Sequence, residues 1–477
     1  MKQSIGNNIK RKTPLWGVIS FVFFLGVFFI PFNSFTGISA LGEYKNDAPI
    51  YIFPFVIILL FIYSIKVKKF YIPYQNPIFK ILLLLLGWFL VATLLNQENI
   101  TTYFFKGKSG ANRFVRQYIS LLISSIVFLL LYYNIFRHYT PTAIFYKLRR
   151  VFLYSFIVVF IYGVMEFLIV SLGVSPLKPI LGLFSYFPFT EVELQSFNPR
   201  ISSVTFETPA LATYLFMVSG WMFSYILTEK GFLKYIPSIL VVFLAIASGS
   251  RAGIVVIFLQ CGMFLFFLAR DKKLHALLIK IGLFLLLGGV VIGFYKGPQI
   301  SGFVIEKLSS FGTTGKAKHD ISNRSRFGIQ YANIEVFKKF PISGVGFGQQ
   351  AFEAKKEYPR WATINNWEFR LKYLNPTVSS YPPGYNIYTR VLAEAGIIGI
   401  LLFLLLLTSI LLACYKLLKV KDERYVLALV LLISFIGSYM DWLKMDTFRV
   451  FSFWLHFGLL LSVLKNNRQT LISKTRD

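Results

Sequence analysis

Apolar residues recur along the chain in about twelve runs of near-spanning length, at 15–32, 50–66, 78–95, 118–136, 151–173, 207–227, 236–249, 252–269, 276–295, 387–414, 425–440 and 447–464. A hydrocarbon core about 30 Å thick takes roughly 20 apolar residues per helix. The pattern therefore predicts an all-α polytopic membrane protein of about twelve transmembrane helices. The longest polar stretch, 296–386, parts the ninth and tenth runs. It divides the chain into an N-terminal bundle of about nine spans (1–295), one large, partly helical extracytoplasmic loop (296–386), three C-terminal spans (387–464) and a tail (465–477).

Composition narrows the class further. With 56% hydrophobic and only 15% charged residues, the chain falls well below the roughly 25% charged content of soluble domains. Its apolar surface needs lipid as a solvent. The net charge of +29 would point to nucleic acid in a soluble protein, but here charge has to be sorted by membrane side. Short connections bearing Lys66, Lys68 and Lys69, then Arg137, Lys147, Arg149 and Arg150, then Arg270, Lys272 and Lys273, then Lys416, Lys419, Lys421 and Arg424 share one side with both termini. The positive-inside rule makes that side cytoplasmic. The first run follows Lys10, Arg11 and Lys12, is rich in Phe and lacks a small-residue cleavage site, so it reads as a span and not as a signal peptide. Cys261 and Cys414 lie in or at the end of apolar runs and read as small buried residues.

The loop is basic, with 14 Lys and Arg against 6 Asp and Glu over 296–390. A structureless segment of that length would be anomalous. Ser322 or Asn323 is placed to cap a helix over 324–340 that Pro341 ends, with Phe327, Tyr331, Ile334 and Phe337 as its apolar face against the membrane domain. A shorter helix is expected near 349–357, and Tyr381-Pro382-Pro383-Gly384 marks a turn before the tenth span. No repeat of 20–50 residues and no inverted hydropathy symmetry is visible, which weighs against a transporter.

Much familiar chemistry is missing from the sequence. It has no Walker lysine, no His-Glu-x-x-His and no Asp-x-Asp, and His138, His275, His319 and His456 lack metal-ligand spacing. No cofactor or metal is expected, so phosphate chemistry falls to Arg and Lys. The arginine fork suits phosphate oxygens. Gly344-Val345-Gly346-Phe347-Gly348 lacks the strand, helix and lysine of a phosphate loop and reads as a turn.

The remaining candidates cluster at the outer boundary. Arg251 sits in Ser248-Gly249-Ser250-Arg251-Ala252-Gly253, where charge near hydrocarbon suggests function, the alternative being an arginine that snorkels to headgroups. Arg200 and Glu207 lie where a polar loop enters the sixth span, and Glu207 reads either as a helix cap or as a general base. Arg324 and Arg326 open the loop helix, where positive charge opposes the macrodipole unless an anion binds there. Glu166 and His456 are intramembrane polar groups without an evident partner.

In this order and on this topology, these residues resemble the bacterial O-antigen ligase and O-antigen polymerase superfamily. The resemblance rests on Ser250-Arg251 before a span, on Ser325-Arg326 opening a helix that runs into Phe340-Pro341-Ile342-Ser343-Gly344-Val345-Gly346-Phe347-Gly348, and on Tyr385-Asn386-Ile387-Tyr388 followed by Leu392-Ala393-Glu394-Ala395-Gly396-Ile397-Ile398-Gly399. It covers roughly 200–415. Tyr385 stands where the ligase pattern has a histidine, which tilts the resemblance to the polymerase branch, and the Arg200–Pro209 stretch looks like the Arg and Glu-Pro pattern of polysaccharide polymerases. The resemblance implies a polymerase that works at the periplasmic face of the inner membrane. It would move a growing glycan from undecaprenyl pyrophosphate to an undecaprenyl-pyrophosphate-linked repeat unit, in the lipid bilayer, with a chain-length regulator as a candidate partner and no nucleic acid involved. Glu207, Arg251 and Arg326 would be catalytic, and Arg200, Arg324, Tyr385 and Asn386 would bind substrate. The alternatives are a ligase that delivers the glycan to lipid A-core and, behind it, a flippase or transporter with Glu166 as its central group.

Overall fold

The apolar runs form helices, and their first residues are those that helix chemistry favours. The computed structural model describes residues 14–194, 200–270, 275, 279 and 320–474. Apart from Ile279, the expected ninth span (276–295) lies outside the described residues, as do the start of the loop (296–319) and the last tail residues (475–477). Among the described residues, seven helices are long and apolar enough to cross a membrane and four more are shorter but apolar. In chain order the longer helices are α1 (Pro14–Phe28), α2 (Pro49–Val67), α3 (Pro77–Leu95), α4 (Gly110–Phe136), α5 (Pro141–Leu172), α6 (Thr208–Thr228), α7 (Leu233–Ala247), α8 (Arg251–Ala269), α9 (Asp320–Lys339), α10 (Ile387–Val420), α11 (Tyr425–Asp441) and α12 (Phe451–Lys474). All but α9, the loop helix, are apolar. The fold is the expected all-α polytopic one, with a single two-residue ladder among the described residues, β1 (Phe104–Phe105) on β2 (Lys108–Ser109), that hydropathy could not register.

Pro49, Pro77, Pro141 and Pro209 occupy first-turn positions, where a missing N–H costs nothing. Asn76, Thr140, Ser250 and Asn386 cap helix starts by accepting amide hydrogen bonds. Those caps explain two boundary corrections. Helix α5 begins at Pro141, ten residues before the apolar run at 151, and α4 begins at Gly110, where Ser109 accepts from the Asn112 amide. Their N-terminal ends carry charge, Arg113 and Arg116 in α4 and Lys147, Arg149 and Arg150 in α5, so hydropathy cut them off. Helix α6 is the most enclosed of the long spans, with 78% of its apolar window buried against 17% for α2. It packs on α7, α8 and α11, while α3 packs on α10 and α12 on α4. Whatever stands at the start of α6 is therefore held by the centre of the molecule.

The loop helix departs from its predicted start and orientation: it already includes Asp320, so Ser322 and Asn323 lie within it and do not cap it, and Arg324 and Arg326 stand in its second turn. Phe327, Tyr331 and Ile334 are exposed, and the buried face is Ser325, Ile329, Ala332, Asn333 and Val336. Close approach decides the matter: a Cβ on Gly328 would lie 2.3 Å from the Ala362 Cβ. Small residues let α9 sink between two small cores, one with Val345, Ala354 and Ala393, the other with Ala362, Phe369 and Tyr373. Bulk hydrophobicity pointed to the wrong face. The expected second helix shrinks to Gln350–Ala354, followed by Arg360–Thr363.

Two glycine-containing motifs some fifty residues apart close on each other. Val345 and Gly346 amides donate to the Ala393 and Glu394 carbonyls at 3.0 and 2.9 Å, and the Ile397 amide donates to the Pro341 carbonyl at 2.8 Å across a kink of α10 at Gly396. The turn reading of Gly344–Gly348 fits this geometry. Gly344 has φ +66°, and a Cβ there would lie 2.4–2.5 Å from backbone atoms of Ala393, Glu394 and Ala395. Gly344→Ala is expected to lower the melting temperature in detergent, through left-handed strain of about 1–3 kcal/mol plus the clash. Gly262→Ala, which meets open space, is the control; equal melting of the two variants would refute the argument.

At the tip of the β1–β2 hairpin Lys106, buried and at φ +52°, donates from Nζ to the carbonyls of Lys372, Val378 and Ser380 at 2.6, 3.0 and 2.9 Å. Tyr381 donates to the Phe105 carbonyl at 2.6 Å, and the Arg113 guanidinium lies 3.7 Å over the Tyr381 ring. The segment that leads to Tyr385 is thus clipped to the α3–α4 connection.

Candidate active site

A cavity of about 930 Å³ opens where six segments of the chain converge: residues 30–47, the 205–210 approach to α6, the 250–252 turn into α8, the first turns of α9, the 383–385 turn, and the α11–α12 connection. Arg200, Glu207, Arg251, Arg326 and Tyr385 all line it. They come from four separate stretches of the sequence, and the fold brings them together.

The loop that carries Arg200 and Glu207 is built on Glu166. This carboxylate, fully buried in α5, accepts from the Ser202 amide at 3.0 Å, the Ser203 amide at 2.7 Å and the Ser202 hydroxyl at 3.3 Å. Ser203 takes a left-handed φ of +55° and donates from its hydroxyl to the Val159 carbonyl at 2.7 Å. A buried charge has to be matched by donors, and here the match fixes the loop. The second intramembrane polar group, His456, accepts from the Trp221 indole at 3.0 Å in a helix-packing contact.

Glu207 occupies the N-cap position of α6 in an extended conformation, φ −157°, yet its side chain makes no capping hydrogen bond. The carboxylate instead stands in the cavity, reachable by solvent but ringed by protein. Burial pushes its carboxyl above the ordinary range, and the positive charges of Lys444, then Arg326, then Lys372 oppose that shift. Lys444 is held by the Asp441 carboxylate at 2.9 Å and the Pro209 carbonyl at 3.1 Å.

The arginines come from three elements. Gly249, at φ +65°, lets the backbone turn before α8 and leaves room for Arg200, whose Cγ would lie 3.3 Å from a Cβ there. Ser250 caps α8 by accepting from the Gly253 amide at 3.1 Å, which sets Arg251 at the first helical position. Arg251 donates to the Asn323 side chain at 3.2 Å and feels the charges of Arg326 and Arg200. Arg326 Nε is buried with no hydrogen-bond partner among the described residues, and its guanidinium lies 5.4 Å from the centre of the Tyr385 ring. Three like charges gathered in this way repel one another and attract anions, the Glu207 carboxylate among them.

Tyr385, at φ +55°, shares a hydroxyl–hydroxyl hydrogen bond with Tyr373, and burial pushes its phenol up, so it keeps its proton. The other two predicted binding residues do not line the cavity. Arg324 donates to the carbonyls of Trp361 and Ile364, bracing the loop segment beside α9. Asn386 caps α10 through the Tyr388 and Thr389 amides at 2.9 and 3.2 Å, and it reaches Gln330, a lining residue, at 3.4 Å.

Sequence reasoning missed Glu43, Asp47, Lys444, Asp446 and Arg449, all of which line the same cavity. The available signal was the density of opposite charges in two short connections, Glu43–Asp47 and Lys444–Arg449. Arg449 had been enclosed in an expected span beginning at 447, whereas α12 begins at Phe451. Among the described residues, no group of three His, Cys, Asp or Glu side chains is arranged to hold a metal ion.

Residues 236–404, just over a third of the chain, match the family model described as O-antigen ligase. The matched stretch includes the Ser250-Arg251 turn, Arg326 and the interlocked glycine motifs, and it bears out the resemblance to the O-antigen ligase and polymerase superfamily. A comparison with curated proteins finds no match. The family match and the helices together support a multi-pass, glycosyltransferase-like membrane enzyme of the ligase and polymerase type.

Proposed function

We propose that this cavity is the active site of a surface-polysaccharide polymerase at the periplasmic face of the inner membrane. Its donor would be a glycan on undecaprenyl pyrophosphate, and its acceptor a hydroxyl of an undecaprenyl-pyrophosphate-linked repeat unit. The observation that carries the reading is the meeting of Arg200, Arg251, Arg326 and Glu207 in one cavity. In the transfer, the bond between the anomeric carbon and the phosphate oxygen breaks, and the pyrophosphate leaves with the bonding pair. The arginines neutralise that growing charge with guanidinium groups already held in place in a protein-walled cavity. Glu207 takes the proton of the acceptor hydroxyl as its oxygen bonds to the anomeric carbon. Tyr385 orients sugar or phosphate, while Arg324 and Asn386 act through the segments they brace. The reading assigns charge neutralisation to arginine and not to a metal ion.

A ligase would use the same donor and a lipid A-core acceptor. Tyr385, in the place of the ligase histidine, favours polymerisation. A transporter would need Glu166 along a path for substrate, and that carboxylate is occupied by Ser202 and Ser203. Deletion of the gene followed by gel analysis of lipopolysaccharide separates the outcomes. Loss of a polymerase leaves molecules with a single repeat, and loss of a ligase leaves none carrying the glycan; the second result would overturn the proposal.

A further inference from the structure

The cavity has two electrically distinct parts. The charges that act on Arg251 are those of Arg326 and Arg200, whereas the charge that acts on Asp47 is that of Arg449. Arg449 lies 3.2 Å from Glu43 and 3.8 Å from Asp47, so two carboxylates enclose one guanidinium. With Lys45 of the same segment also lining the cavity, the local charges balance, and this part lacks the concentrated positive charge that the three arginines offer a pyrophosphate. Asn33 and Asn46 stand in the same part of the lining.

This part is rigid and is joined to the general base. Tyr44 donates to the Ser120 carbonyl and bonds the Ser124 hydroxyl, both at 2.7 Å, anchoring the 42–47 segment to α4. Asn46 donates to the Phe35 carbonyl at 3.0 Å. The Asn33 amide donates to the Val204 carbonyl at 3.3 Å, and the Phe206 amide donates to Asn33 Oδ1 at 3.0 Å, next to Glu207. A group held between Asn33 and Asp47 is thereby carried by the loop that carries Glu207.

We infer that Glu43, Asp47 and Arg449, with Asn33 and Asn46, form the acceptor subsite and bind the terminal sugar of the incoming repeat unit through its hydroxyl groups. The inference rests on the polymerase reading and deepens it. Carboxylates only accept hydrogen bonds and a guanidinium only donates them, while an amide does both. A sugar ring presents donors and acceptors side by side, and a mixed set of this kind matches it, whereas the cluster of three arginines matches pyrophosphate. Partial burial, which raises the Asp47 carboxyl to about 6 against the pull of Arg449, leaves that group poorly hydrated and suited to a hydroxyl donor.

The test uses purified full-length protein in lipid nanodiscs, with the source strain's undecaprenyl-pyrophosphate-linked repeat unit as donor and the same repeat unit, freed of its lipid, as soluble acceptor. Asp47→Asn and Glu43→Gln keep size and remove charge. Each is expected to raise the acceptor KM tenfold or more and to leave the donor KM within twofold, which also shows that the variants are folded. Arg251→Lys is expected to do the reverse. An acceptor KM unchanged in both carboxylate variants, or a donor KM that rises in parallel, would overturn the subsite while leaving polymerase activity standing. A wild-type protein that extends no acceptor would overturn the polymerase reading itself.

Discussion

Replacing Arg326 with alanine is expected to lower the polymerisation rate about 10²–10³-fold, the cost typical of deleting one preorganised donor to developing negative charge, while leaving the melting temperature equal or higher. The two halves of that result come from one arrangement. Arg326 lies in the second turn of α9, which already includes Asp320, so it is past the first turn where the helix dipole acts and its cost comes from neighbouring charge. It shares the cavity with Arg200 and Arg251, and its Nε has no hydrogen-bond partner among the described residues. Removing it relieves repulsion with Arg251, gives up its attraction to the solvent-reachable Glu207 carboxylate, and breaks no described hydrogen bond of Nε. A site that gives up stability for function behaves in this way. Arg326→Lys keeps the charge and loses the planar fork, so it should recover only part of the rate. The measurement is chain growth from lipid-linked repeat units alongside thermal unfolding in the same detergent. If the alanine variant unfolds earlier in proportion to its lost activity, Arg326 is a structural residue and the charge-neutralising role fails.

The same residues show what a sequence discloses and what it withholds. Spans were legible because lipid imposes one rule on every segment that crosses it, that backbone groups be satisfied internally and side chains be apolar. Helix starts were less so: the N-terminal ends of α4 and α5 stand among polar groups, with Arg149 of α5 paired to Glu229 at 2.7 Å, and hydropathy discards such ends. Arg251 and Arg326 were visible because charge in those settings is locally unfavourable, and an unfavourable choice calls for a partner. Glu43, Asp47 and Arg449 were not, because each looks like an ordinary solvated charge in a short connection until the fold sets them against one another. The buried face of α9 was misread for a related reason. Close packing through Gly328 and Ala332 is a property of two surfaces, and periodicity describes only one.

Glu207→Gln is expected to reduce turnover about 10²–10⁴-fold, the usual worth of a positioned general base, with donor binding retained. An isosteric amide cannot take the acceptor's proton. Since the Glu207 side chain makes no capping hydrogen bond, helix α6 loses none by the change. The pH dependence gives a second readout. Burial raises the carboxyl above its ordinary 4.5, and a base works only when deprotonated, so the wild-type rate should fall with acid at a higher pH than an unperturbed glutamate would give. Lys444 is the largest opposing influence; Lys444→Met should therefore move the acid limb further up, and the glutamine variant should lose the limb altogether. Stability follows with the opposite sign. The folded protein holds that proton more tightly than the unfolded chain, so the ionised form costs stability once the pH exceeds the raised value. Glu207→Gln should then melt at or above the wild-type temperature at neutral pH, and the difference should vanish below the ordinary carboxylate range. An acid limb that stays in place in Glu207→Gln would assign the base to another group, and Asp47, the other raised carboxyl lining the cavity outside the spans, would be the next to examine.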